Sequence, residues 1–149
     1  MAFPLKEDFP LKGESISSAP EETILLGEKI GSVLKPGDIV ALRGKLGAGK
    51  TVLARGIAKS LGVQEELTSA SYMIICEYKA EAFPLYHMDA YRIKGNDDFL
   101  LAGGEEFLYG NGVCIIEWPE HIRLPLTAYN IEITIMEDGK RFIRYGASL

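Results

Sequence analysis

The chain has 149 residues, 47% hydrophobic and 25% charged, with a net charge of −5. That length suits one domain with a substantial core and leaves little room for two. The acidic balance argues against broad binding to a nucleic acid backbone, so no DNA partner is expected.

Residues 1–14, with Pro4 and Pro10, read as an irregular lead-in. Glu7 and Asp8, and the lack of an apolar stretch there, do not fit a secretory signal. No apolar run approaches the roughly 18 residues that a membrane span needs, so the expected location is the cytoplasm. Ser18-Ala19-Pro20-Glu21 has the form of a capping box, a hydroxyl for an orphan amide with an acid three residues later. The helix behind it carries Ile24, Gly27, Ile30, Gly31 and Leu34 on one face and stops at Lys35-Pro36-Gly37. Residues 38–42 read as a buried strand, a glycine-rich loop follows at once, and a helix over residues 50–61 is closed by Gly62. Residues 72–78 and 83–88 are predicted to be two strands of a hairpin, and 97–101 and 105–109 short helical pieces. Residues 113–116 form another buried strand that ends at Glu117. Ile131, Ile133 and Ile135 then alternate with Glu132, Thr134 and Met136, and Asp138-Gly139 turns the chain into a last strand over 141–145. The sum is a single α/β domain over residues 1–149, with a mixed sheet flanked by helices and a C-terminal antiparallel hairpin. Cys76 and Cys114 lie in apolar runs and are expected to be reduced thiols, and no zinc site is expected from two cysteines and two histidines without ligand spacing.

Gly44-Lys45-Leu46-Gly47-Ala48-Gly49-Lys50-Thr51 fits G-x-x-x-x-G-K-[ST] at every fixed position. Glycines let the backbone turn and bring its amides against phosphate oxygens with no Cβ in the way. The amides of residues 47–51 are expected to point inward, backed by the positive end of the helix dipole. The nucleotide contacts are assigned to Leu46, Gly47, Ala48, Gly49, Lys50, Thr51 and Val52. Lys50 would neutralise the β and γ phosphates of ATP, and the Thr51 hydroxyl would coordinate magnesium. From Arg43 to Lys59 there are five basic residues and no acidic one, a positive island suited to a compact anion.

A P-loop enzyme also needs a carboxylate at the end of a nearby strand. Val113-Cys114-Ile115-Ile116-Glu117 supplies four apolar residues and then an acid, which makes Glu117 a candidate metal residue acting through a water. Tyr86-His87-Met88-Asp89-Ala90-Tyr91-Arg92 is the second acidic candidate. Asp89 either serves the active site or caps the next segment and pairs with Arg92; Tyr91 and Arg92 are candidate lining. His87 is placed outside the site as a structural histidine. Ser69 and Ser71 lie in a segment that reads either as a nucleotide-ordered switch or as a serine-rich connector. Trp118 either covers the nucleotide or packs.

Together these motifs resemble the TsaE (YjeE) family of bacterial P-loop ATPases. The family pattern G-D-L-G-A-G-K-T appears as residues 44–51, Y-H-x-D-x-Y-R as residues 86–92, and V-E-W-P as Ile116-Glu117-Trp118-Pro119. Pro20-Glu21-Glu22-Thr23 is similar to the family's P-E-E-T start, and the likeness runs from about Ser15 to Tyr145. The resemblance implies an ATPase that works with TsaB- and TsaD-like proteins, which attach a threonylcarbamoyl group to adenosine in certain transfer RNAs. It implies that the chain supports that machinery through an ATP/ADP cycle, reaching transfer RNA only indirectly. It carries Lys50 and Thr51 over as nucleotide and metal groups, and Asp89 and Glu117 as active-site acids. The chain departs from the pattern in two places: Lys45 replaces an acid, and Ser69-Ala70-Ser71-Tyr72 replaces S-P-T-[FY].

The expected activity is magnesium-dependent ATP hydrolysis, slow until a partner supplies a missing group, with Lys50, Glu117 and Asp89 as the catalytic set. A small-molecule kinase is the first rival, although no insertion of a size to form a lid is visible. A GTPase lacks its N-K-x-D motif, and the remaining rival is a non-catalytic module whose shape is set by ATP.

Overall fold

The computed structural model describes residues 11–67 and 75–146. Seven strands form one sheet in the order β1-β7-β6-β2-β5-β4-β3. They are β1 Gly13–Ser17, β2 Ile39–Arg43, β3 Ile75–Tyr78, β4 Leu85–Asp89, β5 Val113–Glu117, β6 Tyr129–Ile135 and β7 Arg141–Gly146. The four central strands, β6, β2, β5 and β4, run parallel to one another. Both ends are antiparallel: β3 pairs with β4, while β7 pairs with β6 and with β1. The expected hairpins at 72–88 and 131–145 are therefore present, the first seen from Ile75 onward and the second beginning two residues earlier, at Tyr129.

β2 and β5 are apolar at nearly every position because both sheet faces are covered. Alternate side chains divide the core into two layers. Val40, Leu42, Leu85, Val113 and Ile115 pack with helices α1 (Pro20–Gly31) and α2 (Lys50–Ser60) on one face. Ile39, Met88, Cys114 and Ile116 pack on the other face with Phe99 and Leu108, from α3 (Asn96–Leu101) and α4 (Gly104–Leu108). The apolar face read for α1 is correct, and its glycines set the depth of contact. A Cβ on Gly27 would lie 2.4 Å from the Leu53 carbonyl, and one on Gly56 would lie 2.2 Å from the Ile24 carbonyl. The two helices thus touch along their backbones, which fixes α2 and the loop that enters it.

Two local expectations need correction. The lead-in ends earlier than residue 14, because Gly13 and Glu14 already belong to β1, paired with Tyr145 and Arg144. Gly-Glu-Ser-Ile-Ser is too polar to announce a strand; what makes it one is its place on the sheet edge beside β7, far away in the chain. The capping box is also displaced. Ala19 is the N-cap of α1 and Pro20 its first residue, so the acid that reaches back is Glu22, whose Oε1 accepts the Ser18 amide at 3.1 Å. Ser17, buried, bonds the Thr23 hydroxyl at 2.7 Å instead. Both cysteines are free, and burial pushes the Cys114 thiol up to about 12.

Candidate functional site

The site lies at the C-terminal ends of β2, β4 and β5. β2 delivers the chain into residues 44–49, and Lys50 opens α2. Gly47 and Gly49 take φ of 80° and 108°, and a Cβ on either would meet nothing within 4 Å. Their glycine character therefore answers to the left-handed backbone and leaves the outer side of the loop open. Gly49 is the N-cap of α2 and supplies no side-chain cap, so the first-turn amides lack the partner that a helix start usually carries. The Ala48 amide, by contrast, donates to the Lys45 carbonyl at 3.0 Å inside the loop, and is spent there.

Lys50 is 5% exposed. Its Nζ donates to the carbonyls of Gly44 and Lys45 and sits 3.8 Å from the centre of the Trp118 ring. Burial pulls its ammonium below the ordinary lysine value, opposed by the charges of Glu117, Glu120 and Asp89. Trp118 is the only non-glycine residue of positive φ among the described residues, at 59°. That conformation, costing roughly 1–2 kcal/mol, swings the indole back over Lys50 and against Tyr91, ring centres 4.9 Å apart.

The Thr51 hydroxyl donates to both oxygens of Glu117, at 3.3 and 3.2 Å. Glu117, at the end of buried β5, is 3% exposed and meets His87 Nε2 at 2.6 Å through Oε2. Asp89 stands opposite Glu117 in the parallel β4–β5 register. Its Oδ1 accepts the Tyr91 amide at 2.9 Å, so it holds the turn that leaves β4. The capping half of that alternative is present; among the described residues Asp89 and Arg92 form no ion pair, and Arg92 is exposed.

A hydroxyl and a carboxylate are hard oxygen donors of the kind magnesium takes, with waters and phosphate oxygens completing its shell. Among the described residues no group of three or more His, Cys, Asp or Glu could hold a metal by protein ligands alone. The pair Thr51–Glu117 thus fits a cation shared with a phosphate ligand.

Residues 17–143 match the family model described as "Threonylcarbamoyl adenosine biosynthesis protein TsaE". The chain belongs to the TsaE family. The TsaE relative of Treponema pallidum (strain Nichols), a "tRNA threonylcarbamoyladenosine biosynthesis protein", is 39% identical over 130 residues, covering 86% of this chain and 96% of the relative. The TsaE protein of Bacillus subtilis (strain 168) is 39% identical over 120 residues, covering 80% and 75%. The crystal structure of YdiB, also from Bacillus subtilis, shares the fold with a TM-score of 0.75 and 36% identity over 89% of this chain and 82% of that one. No helix among the described residues is long and apolar enough to cross a membrane.

For this TsaE chain the structure gathers Lys50, Thr51, Asp89, Glu117, Tyr91 and Trp118 at one mouth. Leu46 is 80% exposed at the loop tip, and Lys45 is exposed while its carbonyl serves Lys50. Ser69 and Ser71 lie outside the described residues. Two features are new. His87, set aside as structural, bonds the candidate metal acid. A cavity of about 270 Å³ adjoins the loop, lined by Ser17, Thr23, Gly47, Gly49, Val52 and Arg141 among others. Arg141 Nε donates to the Ala48 carbonyl at 3.0 Å and Nη2 to that of Gly47 at 3.3 Å. Nothing local in the sequence marks Arg141; the motif around His87 was the available signal.

Proposed function

We propose that this chain is a cytoplasmic magnesium-dependent ATPase that supports transfer RNA threonylcarbamoyladenosine synthesis together with TsaB- and TsaD-like proteins. One observation carries this reading: Thr51, next to the loop lysine, faces the carboxylate of Glu117 from a separate strand. That is how a P-loop enzyme pairs phosphate and metal groups. The uncapped amides at the start of α2 bind the phosphates, and Lys50 exchanges its loop carbonyls for phosphate oxygens. Thr51 and Glu117 present the oxygens for the cation, which when bound would neutralise charge developing on the phosphates. Asp89, beside Glu117, orients the attacking water or accepts its proton. The nucleoside extends from Gly49 and Val52 into the cavity beside Arg141, and ADP is the product left behind.

The test is release of inorganic phosphate from ATP by the full chain, with and without TsaB- and TsaD-like partners. Slow magnesium-dependent release alone, rising at least about tenfold with partners, is expected when a group arrives in trans. Absence of phosphate release under both conditions would leave a nucleotide-binding module in place of an enzyme.

A further inference from the structure

The imidazole of His87 is 0% exposed, and its Nδ1 has no hydrogen-bond partner among the described residues. An ionised carboxylate only accepts, so with Glu117 in the charged form that binds a cation, the 2.6 Å contact to its Oε2 places a proton on His87 Nε2. His87 stands opposite Ile115, not Glu117, in the β4–β5 register. Its ring therefore reaches two residues along the neighbouring strand, a span that a shorter side chain could not cover.

Besides His87, Glu117 has two neighbours with competing claims. Thr51 holds it on the side of the candidate cation, while Lys50 attracts it electrostatically across the loop. Closure of a Lys50–Glu117 pair would cancel the two charges that the site needs apart, one for phosphate and one for metal. Instead, Lys50 donates to Gly44 and Lys45, and Glu117 is bonded by His87 and Thr51. We propose that His87 is the positioning residue that locks the Glu117 carboxylate against Thr51, and thereby sets how strongly magnesium reinforces nucleotide binding. This rests on the ATPase reading above. The effect of losing such an outer partner is about 10–100-fold in metal affinity.

The test compares wild type, His87→Gln, which can place an amide nitrogen near the position of Nε2, and His87→Leu, which cannot donate. Side-chain nitrogen NMR of the unliganded wild-type protein should show the proton on Nε2; a bare Nε2 overturns the proposal. Calorimetry with ADP then measures the gain in affinity that magnesium brings. In His87→Leu that gain should fall about tenfold or more, while affinity without magnesium stays within about twofold. His87→Gln should recover most of it, and it decides the matter if His87→Leu does not fold. A wild-type gain preserved in His87→Leu, or a folded His87→Gln that has lost the gain, removes His87 from this role and leaves the ATPase reading standing. If the wild type gains nothing from magnesium, the ATPase reading falls and the inference falls with it.

Discussion

The two sides of the phosphate loop are built from different materials. Towards β4 and β5, the groups around it are ionisable and buried: Lys50, His87 and Glu117 are 5%, 0% and 3% exposed. Towards β1 and β7, the cavity is lined by hydroxyls, glycines, main chain and a partly exposed Arg141. A buried charge has no water to fall back on, so removing its partner leaves the full desolvation cost in place. A contact at an open cavity can be replaced by water at little cost. The first side should therefore be intolerant and chemical, the second tolerant and adaptable.

Three substitutions would sharpen or break that contrast. Lys50→Ala has the largest expected effect, a loss of roughly 100-fold in ATP affinity by calorimetry, or about 3 kcal/mol. A loss below about threefold would remove the loop lysine from phosphate binding. Glu117→Ala should cut magnesium-dependent phosphate release by roughly 10–100-fold and leave ATP affinity within about threefold. Full turnover in that variant would mean the acid is not part of the chemistry. Arg141→Ala should weaken ATP and ADP equally, by only about three- to fivefold, because it steadies the loop through the Gly47 and Ala48 carbonyls. An effect as large as that of Lys50→Ala would show that the two sides are not different in kind.

The same division explains what could be read from sequence. β2, the loop and α2 are contiguous, and each step has a local signature: an apolar run, glycines at fixed spacing, a lysine and threonine opening a helix. Glu117 was legible because it ends an apolar run of four. β1 was not, since Gly13, Glu14 and Ser15 have no strand character without β7 beside them. The cavity was not legible either, because Ser17, Val52 and Arg141 come from three distant segments. The contact between His87 and Glu117 was hidden for a related reason. A lone histidine in a strand says nothing until the parallel register of β4 and β5 shows which acid lies within its reach. At Lys45, where the sequence departs from the family pattern, the side chain is exposed and the carbonyl accepts from Lys50.

The central claim is that residues 44–51 receive a triphosphate, and a crystal grown with magnesium and a non-hydrolysable ATP analogue tests it most directly. The account predicts phosphates against the first-turn amides of α2, Lys50 released from the Gly44 and Lys45 carbonyls, and the cation beside Thr51. An analogue bound elsewhere, with Lys50 still bonded to those carbonyls, would contradict it.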